Sequence, residues 1–362
     1  TVRAPEAPVA DVCGPAATLE CRGADSAAEF VRQRDKILSA IASLDAHVIG
    51  LIELENNPAA SLIDLVAGLN AIDGPASWAF VDTGTIGSDA VKVGLVYRTA
   101  LVATHGAFAV LDDSVDRRAI ATKNRPSLAQ TFRERATGEL VTVVVNHFKS
   151  KGSDCDVARM PGELVDPDLG DGQGNCNRTR ASIALALRDW IARDPTASGD
   201  PDVLLIGDLN ANANEDPVTT LAVAGFVDLI TAFAGPRHYS YVFAGEAGAL
   251  DHLLATPTLR TQVTAARALP INADEPALLG YDTEFNPPAY YTPTPWLSSD
   301  HAPELADLAL CVDRADLQAL LEASRDHPTD VRRDLDSDGR TTVADARRLV
   351  LRFTHPGGAY CP

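Results

Sequence analysis

The sequence predicts a mixed α/β protein with helices flanking sheets of mixed strand direction, followed by a small helical calcium-loop unit. Three observations lead there. Helix-like and strand-like periodicities alternate through most of the chain. Several strand-like runs are joined by hairpin-length gaps, which a doubly wound parallel sheet with helical crossovers does not contain. Near the C-terminus, an Asp-rich loop carries glycine where a calcium loop turns sharply. The 362 residues, 46% hydrophobic and 22% charged, suffice for one large core and a small appendage, placed at 1–310 and 311–362. No apolar run approaches the roughly 20 residues of a membrane helix.

From Thr1 to Gly23 the chain is rich in Ala, Pro and Cys without periodicity, and reads as a loop pinned by Cys13 and Cys21. Ser26 can cap a helix to Leu44, because Phe30, Ile37, Leu38, Ile41 and Leu44 recur at three- and four-residue steps. A strand from Val48 to Leu54 and a helix from Ser61 to Leu69 follow. Val91 to Tyr97, Leu101 to Val110, Leu128 to Phe132 and Leu140 to His147 read as strands. The Gly- and Asp-rich stretch from Lys149 to Asn177 is an irregular excursion, longer than loops without a purpose. A helix from Arg180 to Arg193, a strand from Val203 to Ile206 and a strand from His252 to Ala255 complete the main unit.

Six cysteines form three sequence-local pairs, Cys13 with Cys21, Cys155 with Cys176 and Cys311 with Cys361. No Cys-x-x-Cys occurs, so disulfides in an oxidising compartment are expected, and with them secretion; this is one of fifteen formal pairings. A start at Thr1 without a charged-then-apolar leader reads as a mature form or a fragment. The net charge of −19 argues against polyanion binding through a broad basic surface. It leaves room for a local basic cleft, for which Arg117, Arg118, Lys123 and Arg125, and Lys149 with Lys151, are candidates.

Polar residues at strand ends carry the chemistry. Glu53 closes an apolar strand, where its carboxylate can meet a hard divalent cation; alternation puts Glu55 on the same face and leaves the pair ambiguous, and Glu53 is the favoured one. Asp208 and Asn210 are two apart after a buried run and share a face, a proton acceptor beside an amide. His147 and His301 end apolar or aromatic stretches beside hydrogen-bonding neighbours, suited to protonating a leaving oxygen. Asp251 can orient an imidazole through its ring N–H, and His252 is read as structural. No Gly-x-Gly-x-x-Gly or Walker-type loop indicates a nucleotide cofactor.

The ordered set Leu51-Ile52-Glu53-Leu54-Glu55-Asn56-Asn57, Asn146-His147-Phe148-Lys149-Ser150-Lys151-Gly152, Gly207-Asp208-Leu209-Asn210, Leu250-Asp251-His252 and Ser299-Asp300-His301-Ala302-Pro303 resembles the endonuclease/exonuclease/phosphatase family, in its branch of secreted bacterial nucleases. That resemblance implies two packed sheets flanked by helices and phosphodiester hydrolysis with Mg2+ or Mn2+ on a nucleic-acid substrate. It gives Glu53 the metal with Asp300 near it, His147 and His301 the scissile phosphate, and Asp208 the attacking water. Asn210 would hold a phosphate oxygen, Asp251 would orient His301, and Arg125 and Lys149 would contact substrate. Phosphatases and phospholipid phosphodiesterases share the family, and a non-catalytic scaffold on the same fold is a further alternative. The family opens with a central strand bearing an asparagine, which the stretch from Thr1 to Gly23 does not offer, so the first strand is expected to be missing.

At the C-terminus, Asp334, Asp336, Asp338, the Arg340 carbonyl and Asp345 stand at calcium-loop positions 1, 3, 5, 7 and 12, with Gly339 at 6. A helix from Val343 to Phe353 follows, and Ala315–Leu321 echoes Ala344–Val350. The unit resembles a dockerin repeat, which implies Ca2+ and a cohesin-like partner; stabilisation outside the cell is the plainer role for a single loop.

Overall fold

The structure is a computed structural model that describes residues 12–120, 122–156, 158, 164–283, 286–311, 314–326, 328 and 338–347. Helix α1 (Ala27–Leu44) starts at Ser26, whose hydroxyl accepts from the Glu29 N–H, and buries Phe30, Leu38 and Ile41. Then come β1 (Val48–Glu55), α2 (Ala60–Asp73), β2 (Trp78–Phe80), β3 (Val91–Arg98), β4 (Val102–Leu111), β5 (Ser127–Glu134), β6 (Leu140–His147), α3 (Asn177–Ile191) and β7 (Val203–Asp208). Short elements follow: α4 (Asp216–Val223), β8 (Val227–Asp228), α5 (Leu229–Ala234), β9 (Tyr241–Phe243), β10 (Glu246–Gly248), β11 (Asp251–Ala255), α6 (Pro257–Arg260), β12 (Val263–Ala268), β13 (Glu304–Leu308) and α7 (Arg314–Asp326).

One sheet has six strands in the order β4-β5-β6-β7-β11-β8, and only its β6–β7 pair is parallel. Facing it is a layer made of two pieces, β1-β3-β2 and the ribbon β12-β13. Strand alternation explains how the layers stack. In β6, Val143 and Val145 pack with Val93 and Leu95 of β3, while Val144 turns outward to Ile183 and Leu187 of α3. That is why β6 reads as an unbroken apolar run: both its faces are covered. On the other side, α1 and α2 cover Ile49, Leu54 and Val96. The result is a sandwich of mixed sheets between helical layers.

Gly50 lets β1 approach the large sheet, since a Cβ there would stand 2.3 Å from Ile206 Cδ1. Ile206 also packs against the β12-β13 ribbon, so both pieces of the second layer meet at β7. Among the described residues of that layer, β1 is paired with β3 alone and β13 with β12 alone. The 149–177 excursion is tied down from within. Cys155 is bonded to Cys176, Arg180 donates to the carbonyls of Lys149, Gln173 and Asn175, and Asp166 accepts from Arg178 and Thr179 at the start of α3. Cys13 is bonded to Cys21. Cys361 lies outside the described residues, and so do Asp334 and Asp336. Asp338 accepts from Arg340 N, and buried Asp345 accepts from Thr342 N, a reciprocal cap at the start of a helical turn from Val343.

Glu304, at the head of β13, has both carboxyl oxygens buried without a hydrogen-bond partner. Burial first, then the charges of Asp251 and Asp228, push its pKa well above the ordinary value. Between the ordinary value near 4.3 and the raised one, the unfolded chain releases this proton and the folded chain keeps it, so stability falls as pH rises. Glu304→Gln removes the penalty. The variant is expected to gain Tm over the parent at pH 8 by a few degrees, at roughly 2–4 °C per kcal/mol, and much less at pH 4.5. Equal differences at both pH values in scanning calorimetry would show that Glu304 is not held neutral.

Candidate active site

The site lies where β1, β6, β7 and β11 present their polar ends. β6 and β7 run parallel, so His147 stands level with Asp208, and β11 sets Asp251 opposite Asp208. Gly207 makes this register attainable: its φ is +115°, and a Cβ would sit 2.1 Å from the Asn146 carbonyl oxygen. Asn146 is buried and donates to the carbonyls of Val144 and Ile206, stitching the two strands beneath the site.

The first group centres on His147. Its Nε2 lies 3.2 Å from Arg125 Nη1, 3.7 Å from Asp208 Oδ2 and 3.8 Å from Glu53 Oε1. Burial, then the charges of Arg125, His301, Arg22 and Lys149, hold its pKa well below the ordinary value, so it is neutral at pH 7. The second group is His301, whose Nδ1 lies 2.6 Å from Asp251 Oδ2. Burial opposes its charge, but Asp251, Asp208 and Asp300 outweigh burial and raise its pKa to about 10. One neutral and one cationic imidazole therefore face the same space.

Asp208 is the third group. Burial, then Asp251, raises its pKa to about 7, against the lowering effects of His301, Asn210 and Arg125. Asn210 wraps it, donating from N to Oδ1 and from Nδ2 to Oδ2 at 2.6 Å each, with a left-handed φ of 48°. Asn210 Nδ2 also reaches the Phe148 carbonyl. Arg125 is 6% exposed and ion-paired with Asp89 at 3.0 Å, so its guanidinium is fixed. Of the other clustered cations, Arg118 pairs with Asp116 and Asp189 and Lys123 donates to the Leu164 carbonyl, so they serve the fold. Lys149 stands close enough for its charge to reach His147, and its carbonyl is held by Arg180.

The two glutamates of β1 part company. A bulge between Leu51 and Leu54 and a left-handed Glu53 (φ 56°) break the alternation. Glu55 turns under the Cys13–Cys21 loop, 3.6 Å from Cys13 Sγ, while Glu53 stays at the mouth with its side chain 41% exposed. Such a backbone at a carboxylate costs on the order of 1–3 kcal/mol and clusters at ligand sites. Asp300 is exposed at the same mouth. The Tyr241 hydroxyl registers both: burial, then Asp300, Asp208 and Glu53, raise its pKa. Among the described residues no ready cage of three or more His, Cys, Asp or Glu is formed. Mg2+ needs none, because it binds through one or two carboxylates and substrate phosphates while keeping several waters. Glu53 and Asp300, hard and hydrated oxygen donors, fit such an ion.

Two residues with no role assigned from the sequence join the site, although Arg22 stands in the stretch Arg22-Gly23-Ala24-Asp25-Ser26, which also carries the family resemblance. Tyr241 stacks on His301 with ring centroids 4.5 Å apart. Arg22 follows the Cys13–Cys21 loop, and its charge acts on His147. The signals were faint: an aromatic run at Tyr239-Ser240-Tyr241, and an arginine beside a cysteine. His252 ties Ala211 to Asp228, buried away from the cleft.

A mixed α/β sandwich with carboxylates, imidazoles and a fixed guanidinium around one opening has the groups that phosphate ester hydrolysis uses. The chain belongs to the endonuclease/exonuclease/phosphatase family, whose sequence profile matches residues 17–301. Its members are phosphoesterases that generally use divalent metals such as Mg2+. Comparison with curated proteins gave no match. Similar solved structures include a family protein from Bacteroides vulgatus, 17% identical, covering 77% of this chain and 90% of that one at a TM-score of 0.49. A mannosyl-6-phosphatase from Bacteroides thetaiotaomicron is 14% identical, with 77% and 91% covered and a TM-score of 0.49. D. rerio TDP2 with a single-strand DNA product is 14% identical, with 76% and 91% covered and a TM-score of 0.47.

Proposed function

We propose that the protein is a secreted, divalent-metal-dependent phosphodiesterase that hydrolyses nucleic acid, DNA foremost. The observation that carries this reading is the gathering of neutral His147, cationic His301, Asp208 and Arg125 around one opening whose rim bears Glu53 and Asp300. Asp208 takes the proton of the attacking water, and Asn210 orients its carboxylate; with both Nδ2 hydrogens given to Asp208 and the Phe148 carbonyl, Asn210 serves the base and leaves the phosphate oxygen to other donors. His301, kept charged by Asp251, stabilises the charge that grows on phosphorus, and Arg125 fixes another oxygen. His147 stays neutral and accepts from Arg125 through Nε2, which holds the guanidinium toward the opening. Glu53 and Asp300 would hold Mg2+ or Mn2+, which polarises a phosphoryl oxygen. The charges of Lys149 and Arg22 reach His147, which suits the two residues to neighbouring phosphates of a polymer.

The disulfides Cys13–Cys21 and Cys155–Cys176 support an oxidising location. Among the described residues no helix is long and apolar enough to cross a membrane. The loop from Asp334 to Asp345 would take Ca2+, and the dockerin-like spacing of the C-terminal unit suggests a cohesin-like partner for it. Calorimetric calcium titration tests the loop, since Asp334→Ala should abolish one binding site. For the main reading, supercoiled plasmid is expected to be cut with Mg2+ and left intact with EDTA. Hydrolysis of p-nitrophenyl phosphate with the plasmid untouched would replace a phosphodiesterase by a phosphatase; no hydrolysis of either would leave a non-catalytic scaffold.

A further inference from the structure

Three rings stand in file from the catalytic imidazole to solvent. His301 stacks on Tyr241 at 4.5 Å and 27°, and Tyr241 lies nearly parallel to Phe243, with centroids 6.3 Å apart and planes at 9°. The file has a structural cause. Tyr241 and Phe243 are two apart on β9, so they share a face. β9 pairs with β10 through a two-residue loop in which Ala244 and Gly245 both have positive φ (51° and 83°), the tight turn that best matches strand twist.

The base of this hairpin is fastened to the catalytic dyad. Tyr241 bridges His301 by backbone pairing, Ser240 accepts from Ala302 N at 2.7 Å, and the Ser240 hydroxyl accepts from Asp251 N. The tip is bare, with Phe243 69% exposed. One exposed phenylalanine alone says little. Here its plane continues a stack that begins on the imidazole facing the phosphate.

We propose that Phe243 is a stacking platform for a nucleobase of the substrate strand flanking the scissile phosphate, with Tyr241 backing it and locking it to His301. The proposal rests on the nucleic-acid reading above and adds how the polymer is gripped. A base sandwiched between two rings needs roughly 7 Å, twice the 3.4 Å step between nucleotides. At 6.3 Å the Tyr241–Phe243 gap is too narrow, so the base covers the outer face of Phe243. Every base has a π-face, so this contact grips without reading sequence, and it favours single or splayed strands.

The test compares the parent protein with Phe243→Ala and Phe243→Trp. Phe243 is exposed, so both variants keep the fold, which an unchanged Tm verifies. Steady-state kinetics use hexathymidylate and a hexamer of the same charge whose flanking residues are abasic. The parent is expected to prefer the base-bearing hexamer by roughly ten- to a hundredfold in KM. Phe243→Ala collapses that preference and Phe243→Trp restores it. A second arm, with EDTA present so that nothing is cut, follows a hexamer carrying 2-aminopurine. Its fluorescence falls on binding the parent or Phe243→Trp and not Phe243→Ala. Cleavage with no base preference, or binding with equal quenching by the alanine variant, overturns the platform and leaves the nuclease reading standing. Quenching without cleavage supports the platform and overturns the nuclease reading. Neither binding nor cleavage overturns both.

Discussion

His301→Ala is expected to lower kcat/KM for a phosphodiester by about 10³-fold, within the 10²–10⁴ range of a positioned acid or base group. The expectation rests on how much of the fold serves to charge this one ring. Burial alone would neutralise it, yet Asp251 at 2.6 Å, with Asp208 and Asp300 beyond, raises its pKa to about 10. Tyr241 covers one face and fixes the plane. Loss of the ring removes a cation already in place before charge develops on phosphorus, the arrangement in which electrostatic stabilisation is worth most.

Asp251→Asn separates charge from position. The amide can still accept from Nδ1, so the ring keeps its place and the carboxylate's pull on its proton is lost. Activity should fall less than in His301→Ala, and the alkaline limb of the pH profile should move to lower pH. An alkaline limb unmoved in Asp251→Asn would mean that His301 does not act as a cation.

The sequence made the long elements legible because their periodicity spans several turns or a whole strand. α1, with its Ser26 cap, β6 and β7 begin as the spacing predicts. β8, β9 and β10 are two or three residues long, too short for alternation to register. They exist because neighbouring strands offer them an edge, a tertiary cause with no local trace. The start of α3 differs for a similar reason: Asp166, from within the long excursion, supplies acceptors that let the helix begin at Asn177 instead of Arg180.

The site divides along the same line. His147, Asp208, Asp251 and His301 could be named because strand ends put polar groups after apolar runs, and the structure brings them together. Glu53 is favoured over Glu55, but alternation could not separate them, since it assumes a regular strand and the bulge at Glu53 breaks it. Arg22 and Tyr241 reach the site through a disulfide loop and a hairpin, whose destinations periodicity does not encode.

Asp208→Asn is expected to abolish hydrolysis to within 10³–10⁴-fold of the parent while making the protein more stable at neutral pH. Both effects follow from one pKa of about 7 in a fully buried carboxyl. As a base, Asp208 must be ionised, so kcat/KM should rise through pH 7; His301 must stay protonated, so it should fall above about 10. Asn at 208 takes no proton, and the limb near 7 should vanish from whatever activity remains. The stability sign runs the other way. The pKa in the fold stands above the ordinary value near 3.9, so the stability this group contributes below pH 4 is lost as pH rises to 7. At roughly 1.4 kcal/mol per pKa unit, a few kcal/mol are forgone at neutral pH. Asn carries no such penalty, although it keeps only part of the pairing with Asn210 N and Nδ2. Calorimetry at pH 4.5 and pH 8 should show the variant gaining on the parent at pH 8 only. A carboxylate held against its own desolvation is a stability cost that the fold carries for reactivity. An Asp208→Asn protein less stable at pH 8, or one that keeps the limb near 7, would take the role of proton acceptor away from this residue.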